Sequence, residues 1–186
     1  MVTPPAPARL ERRAKAIAEA LLKREEKLVL AESCTGGLAA GVLTEISGIS
    51  EVFCGSFVTY REASKTGWIG VDAKVIARDS AVSRSVAEAM ARGALKRTPE
   101  ATLAASITGY LGPSGKNVGL VYVCVVRRGK KTAKFRKLEL ALVRGAPARA
   151  RLIRRSFAIE ALYQAILGEL VAIPKSHSET GKRGTL

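Results

Sequence analysis

The sequence predicts an α/β protein: a three-layer α/β/α sandwich built on a mixed, mostly parallel sheet of about five strands. Three observations indicate this fold. Short apolar runs of strand length alternate with segments of helical periodicity, which is the pattern of strands joined by helical crossovers. The chain of 186 residues is 47% apolar, which suffices for one domain with a sizeable core. The last two strand-like runs are joined by a short turn instead of a helix, which predicts an antiparallel hairpin.

The first part of the chain alternates helix and strand. Apolar residues at helical spacing predict a helix from Ala8 to Arg24, and Lys27–Ala31 is expected to form a short buried strand. A second helix is predicted over Leu38–Thr44, with a stop signal near Ser47 and Gly48. The next apolar run predicts a strand from Val52 to Tyr60.

Helices are expected to fill the interval before the third strand. Arg61–Trp68 is predicted to be a short helix or turn that holds Lys65. Asp72 is expected to cap a short helix over Ala73–Ala77, because an aspartate oxygen can accept the free N–H groups of a first turn. Ser83 is expected to cap a longer helix for the same reason.

The second part of the chain supplies three strands and a long helix. Ala101–Ile107 is predicted to be a buried strand. Val118–Val126 and Thr132–Leu142 are predicted to pair as a hairpin, and the second of these alternates apolar and basic residues, as a strand with one solvated face does. The last helix is predicted over Ala148–Val171.

These elements imply a single folded domain over residues 8–171, with a disordered N-terminus over 1–7 and a disordered polar tail over 172–186. No apolar run reaches the ~20 residues of a membrane span, so no membrane association is expected. The three cysteines are widely spaced, which favours reduced thiols and a cytoplasmic protein. No Cys/His cluster has metal-ligand spacing, so neither a metal nor a cofactor is expected.

The sole histidine, His177, lies in the predicted tail. A Ser-His-Asp or Cys-His site would therefore need that tail to fold back into a pocket. Acid–base chemistry in this chain is expected to use lysine, tyrosine, aspartate or glutamate instead.

The net charge is +15 and it is unevenly distributed. A basic stretch with a single opposing glutamate favours phosphate-bearing ligands, whether a small molecule or nucleic acid. The alternative is a generally basic, solvated surface. Few aromatic residues are available for base stacking, which counts against single-stranded nucleic acid. The basic residues of this stretch are Arg127, Arg128, Lys130, Lys131, Lys134, Arg136, Lys137, Arg144, Arg149, Arg151, Arg154 and Arg155.

A turn rich in small residues joins the first strand to the second helix. Ser33 stands at its tip and is followed by Cys34, Thr35, Gly36 and Gly37. Free N–H groups at the start of a helix suit an anion, or an oxygen that becomes negative during a reaction. The alternative is an ordinary capped helix start, with Thr35 as the cap.

Two further turns follow strand ends. Tyr60 with Lys65 follows the second strand, and Thr108-Gly109 with Gly112 follows the third. Because the carboxyl ends of parallel strands share one edge of a sheet, where ligands bind, we expect these turns and the Ser33 turn to surround one pocket.

An ordered set of motifs resembles the CinA C-terminal domain family, which includes the stand-alone nicotinamide-nucleotide amidohydrolases. The resemblance covers about Ala14 to Ile166. It implies the three-layer fold, a homodimer, and the absence from this chain of the N-terminal molybdopterin-binding-like domain of longer CinA proteins. The motifs, in chain order, are A-E-S-C-T-G-G, G-S-F-V-T-Y-x-x-x-x-K, A-V-S-x-x-V-A-x-x-M-A-x-G-A, T-G-x-x-G-P-x-G and V-G-x-V-Y.

The resemblance also implies an activity: metal-free conversion of nicotinamide mononucleotide, a small phosphorylated pyridine nucleotide, to nicotinic acid mononucleotide and ammonia. In it Ser33 is the nucleophile and Lys65 its base, and Tyr60 and Thr108 complete the site. A lysine can serve as base where its pKa is lowered by burial or nearby positive charge. The N–H groups near Thr35, Gly36 and Gly37 are expected to hold the oxyanion, and basic residues or the loop from Thr108 to Gly115 the phosphate.

The sequence departs from the family pattern at three places. Tyr110-Leu111 stands in a shortened glycine loop, and Arg61 follows Tyr60 where the family usually has Ser or Asn. The turn Gly145-Ala146-Pro147 lacks the family's ligand-reaching arginine, for which Arg144, Arg149 or Arg151 is expected to substitute.

Two alternatives to the hydrolase remain. One is a non-catalytic relative that binds a nucleotide or nucleic acid through its basic surface. The other makes Cys34 the reactive group, because a helix start lowers the pKa of a thiol.

Overall fold

The computed structural model describes residues 5–112, 115–140 and 146–172. These residues form six α-helices, one short 3₁₀ helix and five strands. In chain order they are α1 (Pro7–Arg24), β1 (Leu28–Glu32), α2 (Leu38–Thr44), the 3₁₀ helix (Ile49–Glu51), β2 (Phe53–Val58), α3 (Glu62–Ile69), α4 (Ala73–Asp79), α5 (Arg84–Arg97), β3 (Leu103–Gly109), β4 (Leu120–Arg127), β5 (Ala133–Glu139) and α6 (Pro147–Ala172).

The five strands form one sheet in the order β2-β1-β3-β4-β5. β1 pairs in parallel with β2 and β3, whereas β4 is antiparallel to both β3 and β5. Four of the five strands therefore run in one direction and β4 alone is reversed, which confirms the mixed, mostly parallel sheet. The carboxyl ends of β1, β2 and β3 lie at the same edge, as the pocket prediction requires.

Helices cover both faces of the sheet, which confirms the three-layer sandwich. Side chains of β1 alternate between the two faces: Leu28 and Leu30 pack with α1, α2 and α6. Val29 and Ala31 point the other way, into a second apolar cluster with α3, α4 and α5. Both cores are apolar, so burying the strands from both sides is the main stabilisation of the fold.

Local signals account for several helix ends. The Oγ of Ser83 accepts the N–H of Val86 at 3.2 Å, and Oδ1 of Asp72 accepts the N–H of Lys74 at 2.8 Å, so both predicted caps are confirmed. The predicted helix or turn that holds Lys65 is the helix α3, which ends at Gly70 with φ 71°. Glycine adopts this left-handed conformation without a steric penalty.

The start of α2 differs from the capped alternative. Its N-cap residue is Gly37, with φ 94° and no side-chain cap. The hydroxyl of Thr35 is buried, and no residue that the structure describes is hydrogen-bonded to it. The alternative that Thr35 caps this helix was therefore wrong, because Gly36 and Gly37 extend the turn and the helix begins only at Leu38.

Close packing of α5 against α3 fixes the helix that carries Lys65. A Cβ at Gly93 of α5 would overlap the carbonyl oxygen of Ile69 in α3. Only a residue without a side chain permits this crossing, so the position of Lys65 relative to the sheet depends on Gly93.

Element boundaries differ slightly from the sequence expectations. α1 begins at Pro7, whose fixed φ suits a first helical position. β5 ends at Glu139, and Ala141 and Leu142, the last two residues of the predicted strand, lie outside the described residues. Residues 1–4 of the predicted N-terminal disorder, residues 173–186 of the predicted tail with His177, and Gly145 of the predicted turn lie outside the described residues.

Candidate active site

Ser33 and Lys65 meet at the carboxyl edge of the sheet. Ser33 directly follows β1, and Lys65 lies in the first turn of α3, which follows β2. The Oγ of Ser33 and the Nζ of Lys65 are 3.0 Å apart, and the same Nζ donates to the carbonyl oxygen of Thr59 at 2.7 Å. A hydroxyl and an amine at this distance can exchange a proton directly.

Burial changes the acid–base properties of Lys65. The side chain is only 1% exposed. Desolvation lowers the pKa of Lys65 below its usual 10.5, and the weaker influences of Cys34 and Glu62 oppose the change. The amine is therefore more often neutral than that of a surface lysine, which is what a proton acceptor requires.

The turn around Ser33 is organised by a carboxylate that the sequence analysis did not single out. Glu32 is fully buried, and its carboxylate accepts the N–H groups of Gly37, Ala39 and Ala40 at 2.9–3.1 Å. The N–H of Gly36 donates to the carbonyl oxygen of Ser33 at 3.1 Å. The backbone donors of Gly36 and Gly37 are thus engaged within the protein.

A cavity of about 860 Å³ opens above the pair. Ser33, Cys34 and Lys65 line it, whereas Thr35, Gly36 and Gly37 do not. This placement corrects the expectation that those three residues bind substrate: they shape the turn beneath the cavity. Within the described part of the chain, the N–H of Cys34 donates to no other residue; it faces the residue's own thiol, whose pKa it lowers.

The second wall of the cavity is the segment after β3. Thr108, Gly109 and Gly112 line it, as predicted from their place at a strand end. The hydroxyl of Thr108 donates to the carbonyl oxygen of Ala81 at 2.8 Å. Gly112 has φ +70°, and a Cβ there would overlap the side chain of Val118. Pro113 and Ser114 of the same loop lie outside the described residues.

Arg151 of α6 reaches across the cavity mouth. Its Nη2 donates to the hydroxyl of Tyr60 at 2.9 Å and its Nη1 to the carbonyl oxygen of Gly112 at 3.1 Å. Of the three arginines considered as substitutes, Arg151 lines the cavity; Arg149 is exposed and does not, and Arg144 lies outside the described residues.

Tyr60 lies at the cavity but apart from the Ser33–Lys65 pair. Its side chain is 59% exposed. Among the described residues its hydroxyl is bonded to Arg151, and it makes no hydrogen bond to Ser33 or Lys65. The structure thus gives Tyr60 a place on the wall and shows no proton-transfer contact for it.

The cavity is cationic. Arg61, Lys116 and Arg151 line it together with the buried Lys65, and Glu62 is the carboxylate among the lining residues. Such a surface attracts phosphate and other anions.

Part of the basic stretch found in the sequence is structural. Arg127 forms ion pairs with Glu26 and Glu169 at 2.9 and 2.7 Å. Arg128 donates to the carbonyl oxygen of Ala101 at 2.8 Å, and the buried Arg154 donates to that of Leu111 at 3.1 Å. These guanidinium groups tie elements together.

Cys34 is a poor nucleophile in this environment. It is buried, and burial raises the pKa of its thiol to about 12. The thiol therefore stays protonated near neutral pH, which contradicts the expectation that a helix start activates it. The backbone N–H of Cys34 lowers this pKa, but burial outweighs it, and the N–H groups of Gly37 and Ala39 are bonded to Glu32.

Other site types are not indicated in the described ranges. No three His, Cys, Asp or Glu side chains there are grouped so that they could hold a metal ion. None of the described helices combines the length and apolar character that crossing a bilayer requires.

Fold and site together define a class: α/β/α sandwich proteins with a serine hydroxyl against a buried lysine amine at the carboxyl edge of the sheet. The amino-acid sequence matches the family model described as the CinA C-terminal domain over residues 10–166. The chain belongs to the CinA C-terminal domain family.

Relatives and solved structures agree with this assignment. A CinA-like protein of Myxococcus xanthus (strain DK1622) is 42% identical over 155 residues, which are 81% of this chain and 36% of that protein. Competence/damage inducible protein CihA from Agrobacterium tumefaciens has a TM-score of 0.74 at 34% identity, covering 89% of this chain and 99% of that one. Competence damage-inducible protein A (ComA) from Klebsiella pneumoniae has a TM-score of 0.78 at 25% identity with the same coverage.

The chain spans about a third of the length of the curated relatives it matches. It spans nearly all of the structural neighbours. The similarity therefore concerns one domain of the longer relatives.

Proposed function

We propose that this chain is an amidohydrolase that converts nicotinamide mononucleotide to nicotinic acid mononucleotide and ammonia. The observation that carries the proposal is the 3.0 Å contact between Ser33 Oγ and the buried Nζ of Lys65, at the floor of a cationic cavity. A serine hydroxyl is a poor nucleophile unless a base removes its proton, and Lys65 is the base in contact with it.

The reaction proceeds through an acyl-enzyme. Neutral Lys65 takes the proton of Ser33 as the Oγ of Ser33 attacks the carboxamide carbon. One N–H of Lys65 stays bonded to the carbonyl oxygen of Thr59, and this bond orients the lone pair of Nζ. The resulting ammonium returns the proton to the leaving nitrogen, and ammonia departs. Lys65 then takes a proton from water as the water oxygen attacks the acyl carbon, and it returns that proton to Ser33 Oγ as the ester bond breaks and the acid product is released as its carboxylate.

The N–H of Cys34 is the backbone donor we assign to the oxyanion. It belongs to the residue after the nucleophile, Cys34 lines the cavity, and among the described residues this N–H meets only the weak acceptor of its own thiol. One such donor contributes about 3 kcal/mol to transition-state stabilisation. Gly36 and Gly37 cannot serve, because their N–H groups are already bonded.

Arg151 is the residue we assign to the substrate phosphate. A guanidinium can bind a phosphate through two parallel hydrogen bonds. Arg61 and Lys116 add positive charge on the same cavity. The exposed ring of Tyr60, held by Arg151, offers a face for the pyridinium ring, because a cation is attracted to an aromatic face.

The test is ammonia release from nicotinamide mononucleotide by the purified protein in the presence of a chelator. Ser33→Ala is expected to abolish release while the thermal unfolding curve stays that of a folded protein. Ser156→Ala removes an exposed hydroxyl from α6 and is the matched control, with unchanged turnover. Wild-type turnover by Ser33→Ala would remove this serine from the mechanism.

The competing function is non-catalytic binding of a nucleotide or nucleic acid. It predicts no ammonia release from any pyridine nucleotide, together with binding that weakens steeply as salt rises. Arg127, Arg128 and Arg154 are engaged within the protein, which reduces the basic surface available to such a ligand.

A further inference from the structure

A buried glutamate connects the two halves of the Ser33–Lys65 pair. Glu32 is 0% exposed and does not line the cavity. Besides the three N–H groups at the start of α2, its carboxylate accepts the hydroxyl of Ser56 in β2 at 3.1 Å. One side chain at the end of β1 thereby holds both the next helix and the neighbouring strand.

The main chain of the same residue makes the second connection. The carbonyl oxygen of Glu32 accepts two hydrogen bonds from Thr59, one from its N–H at 2.8 Å and one from its hydroxyl at 3.4 Å. The carbonyl oxygen of Thr59 in turn accepts Nζ of Lys65. Ser33 is covalently next to Glu32, so a short bonded path runs from the serine through Glu32 and Thr59 to the lysine.

The energetics explain why these bonds hold the residue firmly. A carboxylate that leaves water without partners is strongly destabilised, so its burial requires nearly complete hydrogen bonding. Among the described residues, Glu32 has four donors from two elements, and hydrogen bonds to a charged group are stronger than those between neutral groups. Moving any one element away would leave part of a buried charge without a partner, so β1, α2 and β2 are locked together at the site.

We propose that Glu32 is a positioning residue that sets the separation between Ser33 Oγ and Lys65 Nζ. It contacts neither substrate nor the transferred proton and acts through the backbone of the Ser33 turn and of Thr59. The geometric claim stands by itself, and its consequence for turnover rests on the proposed function.

Glu32→Gln is the informative substitution because it keeps the shape and removes the charge. A glutamine has one oxygen, so its amide nitrogen must face at least one of the N–H groups of Gly37, Ala39 and Ala40. In crystal structures of the wild type and the variant, the Ser33 Oγ to Lys65 Nζ distance is expected to lengthen beyond the roughly 3.2 Å limit of a hydrogen bond. An unchanged distance overturns the proposal.

The kinetic readout separates positioning from general loss of structure. Glu32→Gln is expected to lower kcat about 10–100-fold, the effect of misplacing reacting groups by a fraction of an ångström to about 1 Å, with KM within about twofold of wild type. The rate at which a fluorophosphonate labels Ser33, with fluoride leaving as the Oγ–P bond forms, is expected to fall in parallel. Ser33→Ala gives the unlabelled background.

Ser56→Ala keeps the charge and removes one of the four bonds, so it serves where Glu32→Gln does not fold. It is expected to fold and to label more slowly than wild type, by a smaller factor than Glu32→Gln. If Glu32→Gln does not fold, the labelling rate of folded Ser56→Ala decides the test. A rate equal to that of the wild type then overturns the proposal. The proposed function and the role of Glu32 can fail separately. If the wild type releases no ammonia but the Ser33 Oγ to Lys65 Nζ distance lengthens in Glu32→Gln, the proposed function is contradicted and the role of Glu32 stands.

Discussion

Replacing the buried lysine should cost activity and change how stability depends on pH. Lys65→Met keeps a long side chain in the same space and removes the amine that Ser33 and the carbonyl of Thr59 contact. Without its general base, turnover of nicotinamide mononucleotide is expected to fall about 10²–10⁴-fold. The stability effect follows from the lowered pKa of Lys65 and can be measured without any substrate.

The sign of that effect can be worked out from protonation. The pKa of Lys65 is 10.5 in the unfolded chain and lower in the folded protein. Between the two values the unfolded chain binds more protons, so the free energy of unfolding of the wild type rises with pH by about 1.4 kcal/mol per pH unit. Methionine does not titrate. The stability of the variant relative to wild type is therefore greatest below the folded-state pKa and declines as pH rises toward 10.5.

A pH-independent loss accompanies this slope. The carbonyl oxygen of Thr59 loses its partner in Lys65→Met, which costs about 1–3 kcal/mol. This loss shifts the stability difference between variant and wild type by the same amount at every pH. The slope of that difference against pH is unchanged, so the slope is the quantity to measure.

Urea unfolding of wild type and variant across a pH series from neutral toward 10.5 gives the difference directly. Lys116→Met removes an exposed lysine from the same cavity and controls for the loss of one positive charge. A flat difference for Lys65→Met, or one that grows with pH, would refute the reasoning that burial lowers the pKa of this lysine.

Three further outcomes are expected. Arg151→Met should raise KM for nicotinamide mononucleotide about 10–100-fold, through the loss of one charge-assisted contact. The rise should be smaller for nicotinamide riboside, which lacks the phosphate and loses only the support that Arg151 gives to the Tyr60 ring. Arg149→Met is the control, and equal effects on both substrates would contradict the phosphate assignment. Iodoacetamide at neutral pH should leave activity intact, because the thiol of Cys34 has a pKa of about 12; substrate-protected inactivation would restore Cys34 as a candidate. Gly93→Ala should destabilise the folded protein by about 1–3 kcal/mol or more, because the new Cβ would overlap α3. Gly168→Ala has open space around it and should stabilise the protein by up to about 1 kcal/mol. Thermal unfolding of the two variants checks both expectations.

The meeting of Ser33 with Lys65 was predictable because both follow strands that run the same way. Parallel neighbours place their ends at one edge, and the order of motifs selected these turns. The same reasoning placed Thr108, Gly109 and Gly112 on the cavity. Strand-end position is a property of local sequence pattern, so it needs no knowledge of long-range contacts.

Other features depend on contacts that a single sequence does not specify. Glu32 is one charged residue at the end of an apolar run, and its burial follows from the pairing of β1 with β2, which brings Ser56 to it. Arg149 and Arg151 stand in similar local sequence, and only the rotation of α6 about its axis decides which of them reaches the cavity. The engaged N–H of Gly37 likewise results from the buried position of Glu32, whereas that of Gly36 donates to the carbonyl oxygen of Ser33.

Arg151 belongs to α6, the last of the described elements in chain order, whereas Ser33 and Lys65 come from the first half of the fold. At about 5–20 residues per second the ribosome needs about 4–17 s to synthesise the stretch between Lys65 and Arg151. Ser33 and Lys65 are thus synthesised well before the arginine that bridges Tyr60 and Gly112. If the proposed function holds, the phosphate contact that we assign to Arg151 is the last part of the site to be synthesised.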